Sequence, residues 1–379
     1  MNQRAGATTS EFPHRMLREI YEQPAAIRQT IARHVSGDLI FPGELAAIEH
    51  ALLSFTKIII AASGSSRHAG LVGEIMIEDL SGTAVDVEYS SEYCYRSTHA
   101  SADPIVMTIT QSGETADTVA AQREALARGA RTIAISNVAD STIPREASAA
   151  LLTEAGPERA VPATKSFTAQ LTVLYLFALF LARKRGRMTS EVIRTYLARL
   201  QEVPAAIEKS LAAWDKQAAQ VAKHLQNAKT FLYLGRGVHY AVAREGALKL
   251  KEISYVHAEG YPAGELKHGP NALVDEHLPV VTLATCDRSD PDSVLRYQKT
   301  VGIMQEVHTR GGTVVAVITE SEREAERSAN HVFSVPPAPE LLLPLLEVIP
   351  LQLLAYHIGV LNGCDVDNPR NLVKAVVRE

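Results

Sequence analysis

The chain has 379 residues, and a single hydrophobic core rarely serves a chain of that length, so two domains are expected. Its composition, 46% hydrophobic and 21% charged, is that of an ordinary globular protein. The formal net charge of −5 argues against nucleic acid as the main partner, although a local site for a phosphorylated small molecule stays compatible with it.

The three cysteines, Cys94, Cys286 and Cys364, are scattered along the chain. None has a Cys or His at the spacing of a zinc site, so we predict no metal and a reducing, cytoplasmic location. Asp365 and Asp367 do not change this prediction, because no third ligand accompanies them at a suitable spacing.

The N-terminal residues 1–10 are polar and lack the apolar segment of a signal peptide, so we expect disorder there and no secretion signal. Residues 14–34 predict an amphipathic helix that is interrupted near Pro24. The longest apolar run, residues 171–182, holds 12 residues. That is short for a membrane span, so we expect a buried helix and no membrane partner.

Six short apolar segments, in two sets of three, predict buried strands. They cover residues 57–62, 105–109 and 131–135, and then residues 230–234, 279–283 and 313–317. Helical segments such as residues 115–128 and 292–309 lie between strands. This alternation indicates parallel sheets covered on both faces, so the predicted fold is α/β with two doubly wound, flavodoxin-like domains.

The corresponding boundaries follow from the strands and the charged helical region between the two sets. We expect an N-terminal segment and helix at residues 1–38, a first domain at 39–190, a helical linker at 191–227, a second domain at 228–363 and a tail at 364–379.

A row of charged residues follows the strand that ends near residue 234. On a helix, Glu245, Lys249 and Glu252 recur at i, i+4 and i+7 and share one face, and His268 follows sixteen residues later. A carboxylate, an ammonium and an imidazole suit a carbonyl enzyme that moves protons. On spacing alone, a solvated helix with an ordinary Glu–Lys pair is the favoured explanation of the row, and it is the other motifs of the chain that favour an active site.

Two hydroxyl-rich stretches are predicted to be loops that follow strands of the first domain, where ligands of parallel sheets bind. They are Ser63-Gly64-Ser65-Ser66 and Thr110-Gln111-Ser112-Gly113-Glu114-Thr115. Free N–H groups at a helix start favour an anion, although each segment could simply cap a helix. Neither is a Walker motif, and Gly235-Arg236-Gly237 lacks the third glycine of a dinucleotide site, so no cofactor is predicted.

Together these motifs resemble the sugar-isomerase (SIS) domain family, and within it the isomerase half of glucosamine-6-phosphate synthases. The resemblance covers residues from about 15 to the C-terminus. It rests on residues 111–118, residues 245–257, residues 264–270, and Asp365-Val366-Asp367 with Pro369-Arg370-Asn371-Leu372.

The resemblance implies a role for each candidate residue. Glu252 matches the base that moves a proton between C1 and C2, and Lys249 a lysine able to form an imine with the open-chain ketose. His268 matches a histidine that assists ring opening from the partner subunit, which implies a homodimer. Lys374 matches a lysine of a tail that covers the sugar. The implied sugar and phosphate contacts are Ser65, Ser66, Thr110, Gln111, Ser112, Thr115 and the backbone of Val161.

The chemistry agrees with these roles. One carboxylate can serve both carbons of an aldose–ketose interconversion when water is excluded. Ring opening needs an acid near neutral pKa, which suits histidine. A buried lysine is easily lowered in pKa, so we expect Lys249 to be a nucleophile of that kind.

The sequence also departs from the pattern of the synthases. Thr110 and Ala163 each replace a serine, and Val373 replaces an alanine beside Lys374. We further expect no glutaminase domain in this polypeptide, because Met1 is followed by Asn2 and no cysteine precedes Cys94. These differences concern substrate preference and nitrogen source.

The leading hypothesis is a phosphosugar deaminase/isomerase that converts glucosamine 6-phosphate to fructose 6-phosphate and ammonia. An alternative is isomerisation of fructose 6-phosphate and glucose 6-phosphate, or of a related sugar phosphate. A third, from another class, is a non-catalytic regulator that binds a phosphosugar. The partner in every case is a small sugar phosphate.

Overall fold

The structure is a computed structural model, and it describes residues 12–96 and 104–377. Two helices open this part, α1 (Arg15–Tyr21) and α2 (Gln23–His34), and Pro24 lies in the first turn of the second. Proline is tolerated there, because the N–H it lacks would have no partner within the helix. The predicted interruption near Pro24 is confirmed, whereas the predictions for residues 1–10 lie outside the described residues.

A two-stranded antiparallel ribbon, β1 (Val35–Ser36) and β2 (Leu39–Ile40), precedes a five-stranded parallel sheet. The strands of that sheet are β3 (Ile58–Ala62), β4 (Val85–Tyr89), β5 (Ile105–Ile109), β6 (Arg131–Ser136) and β7 (Ala149–Leu152). Its helices are α3 (Ala51–Ser54), α4 (Gly64–Ser81), α5 (Ser90–Tyr93), α6 (Ala116–Ala127), α7 (Thr142–Glu146) and α8 (Lys165–Lys184). The order across the sheet is β4-β3-β5-β6-β7, which is the flavodoxin-like order.

The second half of the chain repeats this plan after a long helix, α9 (Ser190–Leu225). Its parallel strands are β8 (Thr230–Gly235), β9 (His257–Pro262), β10 (Val280–Ala284), β11 (Val314–Thr319) and β12 (His331–Val335). Its helices are α10 (Val238–Ser254), α11 (Pro291–Thr309), α12 (Arg323–Arg327) and α13 (Leu343–Leu361). The order β9-β8-β10-β11-β12 matches that of the first sheet, so the predicted pair of doubly wound domains is confirmed.

In each half of the chain, a long apolar helix packs against the helix that follows the first strand of the parallel sheet. Helix α4 packs on α8, and α10 packs on α13. The segments Lys165–Lys184 and Glu340–Leu361 are long and apolar enough to cross a membrane, yet 94% and 89% of their most apolar windows lie inside the protein. The predicted buried helix at residues 171–182 is confirmed, and each Leu or Phe it buries contributes roughly 1.5–3 kcal/mol.

Helices α4 and α10 also pack against each other, and this contact joins the two domains. Each helix begins directly after the first strand of its own sheet. The packing therefore places the start of α4 beside the charged row on α10, and it positions the candidate active site. The predicted limits of the individual domains stay predictions.

Candidate active site

The loop between β5 and α6 forms one wall of the site. Gly113 has a φ of +70°, in the left-handed region, and a Cβ added there would lie 1.7 Å from Oγ of Ser141, so only glycine fits. The loop is held from within, because the N–H of Gly113 donates to Oγ1 of Thr110 at 3.2 Å and the N–H of Glu114 donates to Oγ of Ser112 at 3.2 Å.

The carboxylate of Glu114 ties this loop to the next helix. It accepts hydrogen bonds from both the backbone N–H and the hydroxyl of Thr142, at 2.7 and 2.8 Å. The loop lies where the chain order of the sheet reverses, between β3 and β5, and ligands of such folds bind at that point. Its rigid hydroxyls and the helix start beside it are suited to a phosphate.

Ser65 and Ser66 form the second wall, but they do not lie in a loop as the sequence suggested. They occupy the first turn of α4, because the helix begins at Gly64 immediately after β3. The hydroxyl of Ser66 accepts from Nε2 of Gln170 at 3.0 Å, and the hydroxyl of Ser65 donates to Oε1 of Glu245 at 2.8 Å. Ser65 thus links the first domain to the charged row of the second.

The charged row on α10 has the predicted common face. Nζ of Lys249 lies 2.5 Å from Oε2 of Glu252 and 3.5 Å from Oε1 of Glu245. The side chains of Lys249 and Glu245 are 0% exposed, whereas that of Glu252 is 22% exposed. Glu245 also accepts from Nδ1 of His68 at 2.8 Å. Glu252 is therefore the member of the row that reaches the cavity.

The electrostatics of the row correct one expectation. Burial by itself lowers the pKa of Lys249, but the carboxylates of Glu252 and Glu245 outweigh burial and raise that pKa above its ordinary value. Burial likewise raises the pKa of Glu245, yet the Lys249 ammonium and the hydrogen bonds from His68 and Ser65 hold it below its ordinary value. The expected net lowering of the Lys249 pKa is therefore wrong, because the lysine is buried between two acids.

The C-terminal tail closes the cavity. The N–H of Val161 donates to the carbonyl of Asp367 at 2.8 Å, and the N–H of Ala116 donates to the carbonyl of Val376 at 2.9 Å. Nζ of Lys374 lies 2.5 Å from the carboxylate of Glu158. The tail is thus held by backbone contacts and by one partly buried ion pair.

Glu158 is a residue that the sequence analysis missed. Its side chain is 0% exposed, and it also accepts from the backbone N–H groups of Thr164 and Ser166 at 2.9 and 3.1 Å. Burial raises its pKa, but the Lys374 ammonium and these N–H groups hold the pKa below its ordinary value. The tail carboxylate of Asp367 has a structural task, because it accepts from the N–H groups of Arg15 and Met16 at the start of α1.

These walls enclose a cavity of 160 Å³. Nine of the predicted site residues line it: Ser65, Ser66, Thr110, Gln111, Ser112, Thr115, Val161, Glu252 and Lys374. Ala163 and Val373, the two departures expected to affect the sugar, also line it, as do Ser63, Ile109, Thr118 and Leu372, which were not predicted. The sequence placed Ser63, Thr118 and Leu372 in the right segments but gave no signal for Ile109.

Two predicted residues lie elsewhere. Lys249 is buried behind Glu252, and His268 is exposed at the end of the short 3-10 helix Ala263–His268. A larger cavity of 660 Å³, around His224 and His277, includes none of the predicted residues. Among the described residues, no group of three or more His, Cys, Asp or Glu side chains is arranged to hold a metal ion.

The SIS domain model matches this chain twice, at residues 52–180 and 224–361. The isomerizing glutamine–fructose-6-phosphate aminotransferase of Chlorobaculum tepidum is 46% identical over 370 residues, covering 97% of this chain and 59% of the relative. That of Methanosarcina acetivorans is 44% identical over 377 residues, with 98% and 59% covered. The chain thus spans 59% of the length of these relatives.

Solved structures agree with this match. The C-terminal domain of glucosamine-fructose-6-phosphate aminotransferase from Francisella tularensis is 35% identical, with a TM-score of 0.89, covering 96% of this chain and 100% of that one. Glucosamine-6-phosphate deaminase from Thermotoga maritima is 21% identical with a TM-score of 0.73, covering 96% and 99%, which shows a shared fold. By sequence and by structure, this chain belongs to the SIS domain family.

Proposed function

We propose that this chain is a sugar-phosphate isomerase that interconverts glucosamine 6-phosphate with fructose 6-phosphate and ammonia. One observation supports this proposal above the others. A single cavity has the rigid hydroxyl loop of Thr110, Ser112 and Thr115 in one wall and the carboxylate of Glu252 in another. An anchored phosphate and a base within one small cavity are what an aldose–ketose interconversion requires.

In this proposal the phosphate binds at the start of α6, and its binding energy fixes the reacting carbons beside Glu252. Glu252 takes the proton from one carbon and returns it to the neighbouring carbon. The tail residues Leu372 to Lys374 close the cavity and exclude water, which keeps the proton on the carboxylate between the two steps.

The two lysines are unequal candidates for an imine with the open-chain ketose. Lys249 is fully buried and is held as an ammonium by two carboxylates, and it does not line the cavity. Lys374 lines the cavity directly. We therefore assign the imine to Lys374, which differs from the role that the resemblance implied for Lys249, and we assign Lys249 the task of positioning Glu252.

In the proposed deamination, the Lys374 amine adds to C2 of the sugar imine that the proton transfer produces, and ammonia leaves. Water then adds to the resulting lysine imine, which releases fructose 6-phosphate and the free amine. Atoms balance, since one water enters and one ammonia leaves.

His268 would assist ring opening from a second copy of the chain, so the active form would be a homodimer. We propose a cytoplasmic location, because three cysteines scattered along the chain are typical of a protein from a reducing compartment.

The test is to incubate the purified chain with glucosamine 6-phosphate and to measure ammonia and fructose 6-phosphate separately. Equal amounts of both products support the proposal. Interconversion of glucose 6-phosphate and fructose 6-phosphate without any ammonia from the amino sugar would replace it with plain isomerisation. Tight binding of the sugar phosphates without turnover of either would make the chain a phosphosugar-binding regulator.

A further inference from the structure

A second cavity, of 370 Å³, lies between α4 and α10 and shares no lining residue with the sugar-phosphate cavity. Its charged lining residues are three cations, Arg67, Arg244 and Lys251, and one carboxylate, Glu259. The carboxylate is already engaged, because Oε2 of Glu259 accepts from the hydroxyl of Tyr261 at 2.5 Å. This cavity, the arginine cleft, therefore has an excess of positive charge.

Arg67 is the least expected residue of the arginine cleft. Only 8% of its surface is exposed, and its Nε and Nη1 atoms are buried without a hydrogen-bond partner. Its Nη2 makes one long contact, 3.5 Å, with the carbonyl of Val87. Leaving a buried donor unpaired costs free energy, and more so for a charged group, so buried donors of this kind usually have an acceptor.

Tyr89 connects the cations to one another. The guanidinium of Arg67 lies 3.7 Å above the centre of the Tyr89 ring, and Nη2 of Arg244 donates to the Tyr89 hydroxyl at 3.0 Å. The hydrogen bond from Arg244, together with the charges of Arg67 and Lys251, lowers the pKa of Tyr89. In the described part of the chain, neither Arg67 nor Arg244 is within ion-pair distance of a carboxylate.

We propose that the arginine cleft is a second anion site, which binds the phosphate group of a small phosphorylated metabolite. Two guanidinium groups and an ammonium around one cavity match the several acceptor oxygens of a phosphate, and arginine pairs with that group through two parallel N–H bonds. At 370 Å³ the cleft exceeds the size of phosphate alone, and the rings of Tyr89 and Tyr261 offer surfaces for the rest of the molecule.

The position of the arginine cleft connects it to the active site without overlapping it. His68 lines the cleft and donates to Glu245, which in turn binds Ser65 and Lys249. Gly64 and Lys251, two other lining residues, directly precede Ser65 and Glu252 in the chain. The proposed anion site does not depend on which sugar phosphate the active site accepts, because the two cavities are lined by different residues.

The experiment measures how many molecules of radiolabelled inorganic phosphate bind per chain at equilibrium. We expect two in the wild type and one in Arg244→Met and in Lys251→Met, which should fold normally because both side chains reach solvent. Arg67→Met should behave in the same way where it folds. Gly113→Ala, which distorts the loop of the other cavity, should also bind one, and combining it with Arg244→Met should remove both.

Arg323→Met is the matched control, because Arg323 is an exposed arginine on α12 that lines neither cavity, and it should bind two phosphates. The proposal is overturned when Arg244→Met and Lys251→Met bind as much phosphate as the wild type. If these variants not only bind phosphate normally but also dissociate to monomers in light scattering, the anion site is rejected in favour of another role. The cleft would then join two copies of the chain. Neither result touches the proposed reaction, which Gly113→Ala and Glu252→Gln test separately.

Discussion

Lys249 and Glu252 form an ion pair of 2.5 Å in which only the carboxylate borders the cavity. The lysine fixes the position of the carboxylate from behind, so the geometry of the base depends on a group that the sugar does not contact. Replacing Glu252 by glutamine keeps the shape and the hydrogen bond but removes the basic oxygen. We expect kcat to fall by about 10²–10⁴-fold, the usual contribution of a general base, with little change in binding of the sugar phosphate.

Glu276→Gln serves as the control for this prediction, because Glu276 is exposed and lies away from the cavity. Turnover is measured by release of fructose 6-phosphate, and binding by calorimetry. A Glu252→Gln enzyme as fast as the wild type would end the assignment of Glu252 as the base.

The assignment of the imine to Lys374 predicts the outcome of chemical trapping. Borohydride reduces an imine to a stable secondary amine, so treating the protein with fructose 6-phosphate and borohydride should attach the sugar to one lysine. Mass spectrometry of the peptides should find the adduct on Lys374 and not on Lys249. Lys374→Arg should prevent labelling, whereas an adduct on Lys249 would restore the role that the resemblance implied.

The loop around Gly113 predicts a selective loss of phosphate affinity. Gly113→Ala adds a Cβ that would overlap the hydroxyl of Ser141, so the loop must shift and the KM for the sugar phosphate should rise at least about tenfold, since small misplacements of binding groups are costly. Gly129→Ala is a matched control: its φ of +84° brings the same backbone strain, but nothing lies within 4 Å of the new Cβ. Equal effects of the two substitutions would show that strain, and not the loop, is responsible.

The exposed position of His268 predicts complementation between inactive subunits. When His268 acts in its partner's site, a mixed dimer of Glu252→Gln and His268→Asn contains one site with both residues intact. Mixing the two inactive variants under conditions of subunit exchange should therefore restore roughly one quarter of wild-type activity, from half of the dimers with one good site each. Mixtures that stay inactive although exchange is demonstrated would place His268 in its own subunit's site, and a His268→Asn variant that is active by itself would place it outside catalysis.

A buried histidine away from the cavity makes stability depend on pH. Nδ1 of His239 lies 2.7 Å from Glu347 and Nε2 lies 3.2 Å from Glu340. Burial alone lowers the pKa of His239, but the two carboxylates outweigh burial and raise the pKa to about 9. Because the unfolded value is about 6.5, the bound proton stabilises the fold fully below pH 6.5, and that stabilisation is lost as the pH rises through about 9.

Glu347→Gln removes one of the two carboxylates and should lower the pKa of His239. The free energy of unfolding, from urea titration, should then fall less between about pH 6.5 and pH 9 than it does in the wild type. His277→Gln is the control, since the His277 side chain is 82% exposed and its loss should leave the pH profile unchanged. An unaltered pH profile in Glu347→Gln would contradict the carboxylates as the cause of the raised pKa.

The predicted strands occupy different positions in the sheets from the strands that the sequence did not predict. The six predicted strands are central or near-central, and five-residue runs such as β3 and β10 are buried throughout. Of the strands that escaped prediction, β1 and β2 form the short ribbon, and β4, β7, β9 and β12 are the edge strands of the two parallel sheets. Edge strands are only partly buried, so they lack a continuous apolar run, and β9 even contains Gly260 and Pro262.

The candidate site likewise has parts that the sequence predicted and parts that it did not. The hydroxyl loop and the acidic row were predictable, because each is a local run of residues with a chemical meaning, whereas the tail lysine followed only from the family resemblance. The engagement of Lys374 by Glu158, and the convergence of Arg67 with Arg244, join residues 216 and 177 positions apart. Only tertiary packing brings residues so far apart in the chain together. The raised pKa of Lys249 has a local cause, because Glu245 and Glu252 lie on the same helix, but the sequence did not show that both carboxylates would face the buried ammonium.

A crystal structure with fructose 6-phosphate bound tests the proposed catalytic cavity most directly. We predict the phosphate against Thr110, Ser112 and Thr115, with C1 and C2 about 3–3.5 Å from the Glu252 carboxylate, the distance of a reactive contact. A sugar phosphate found in the arginine cleft instead, or bound with C1 and C2 turned away from Glu252, would contradict the assignment of this cavity as the active site.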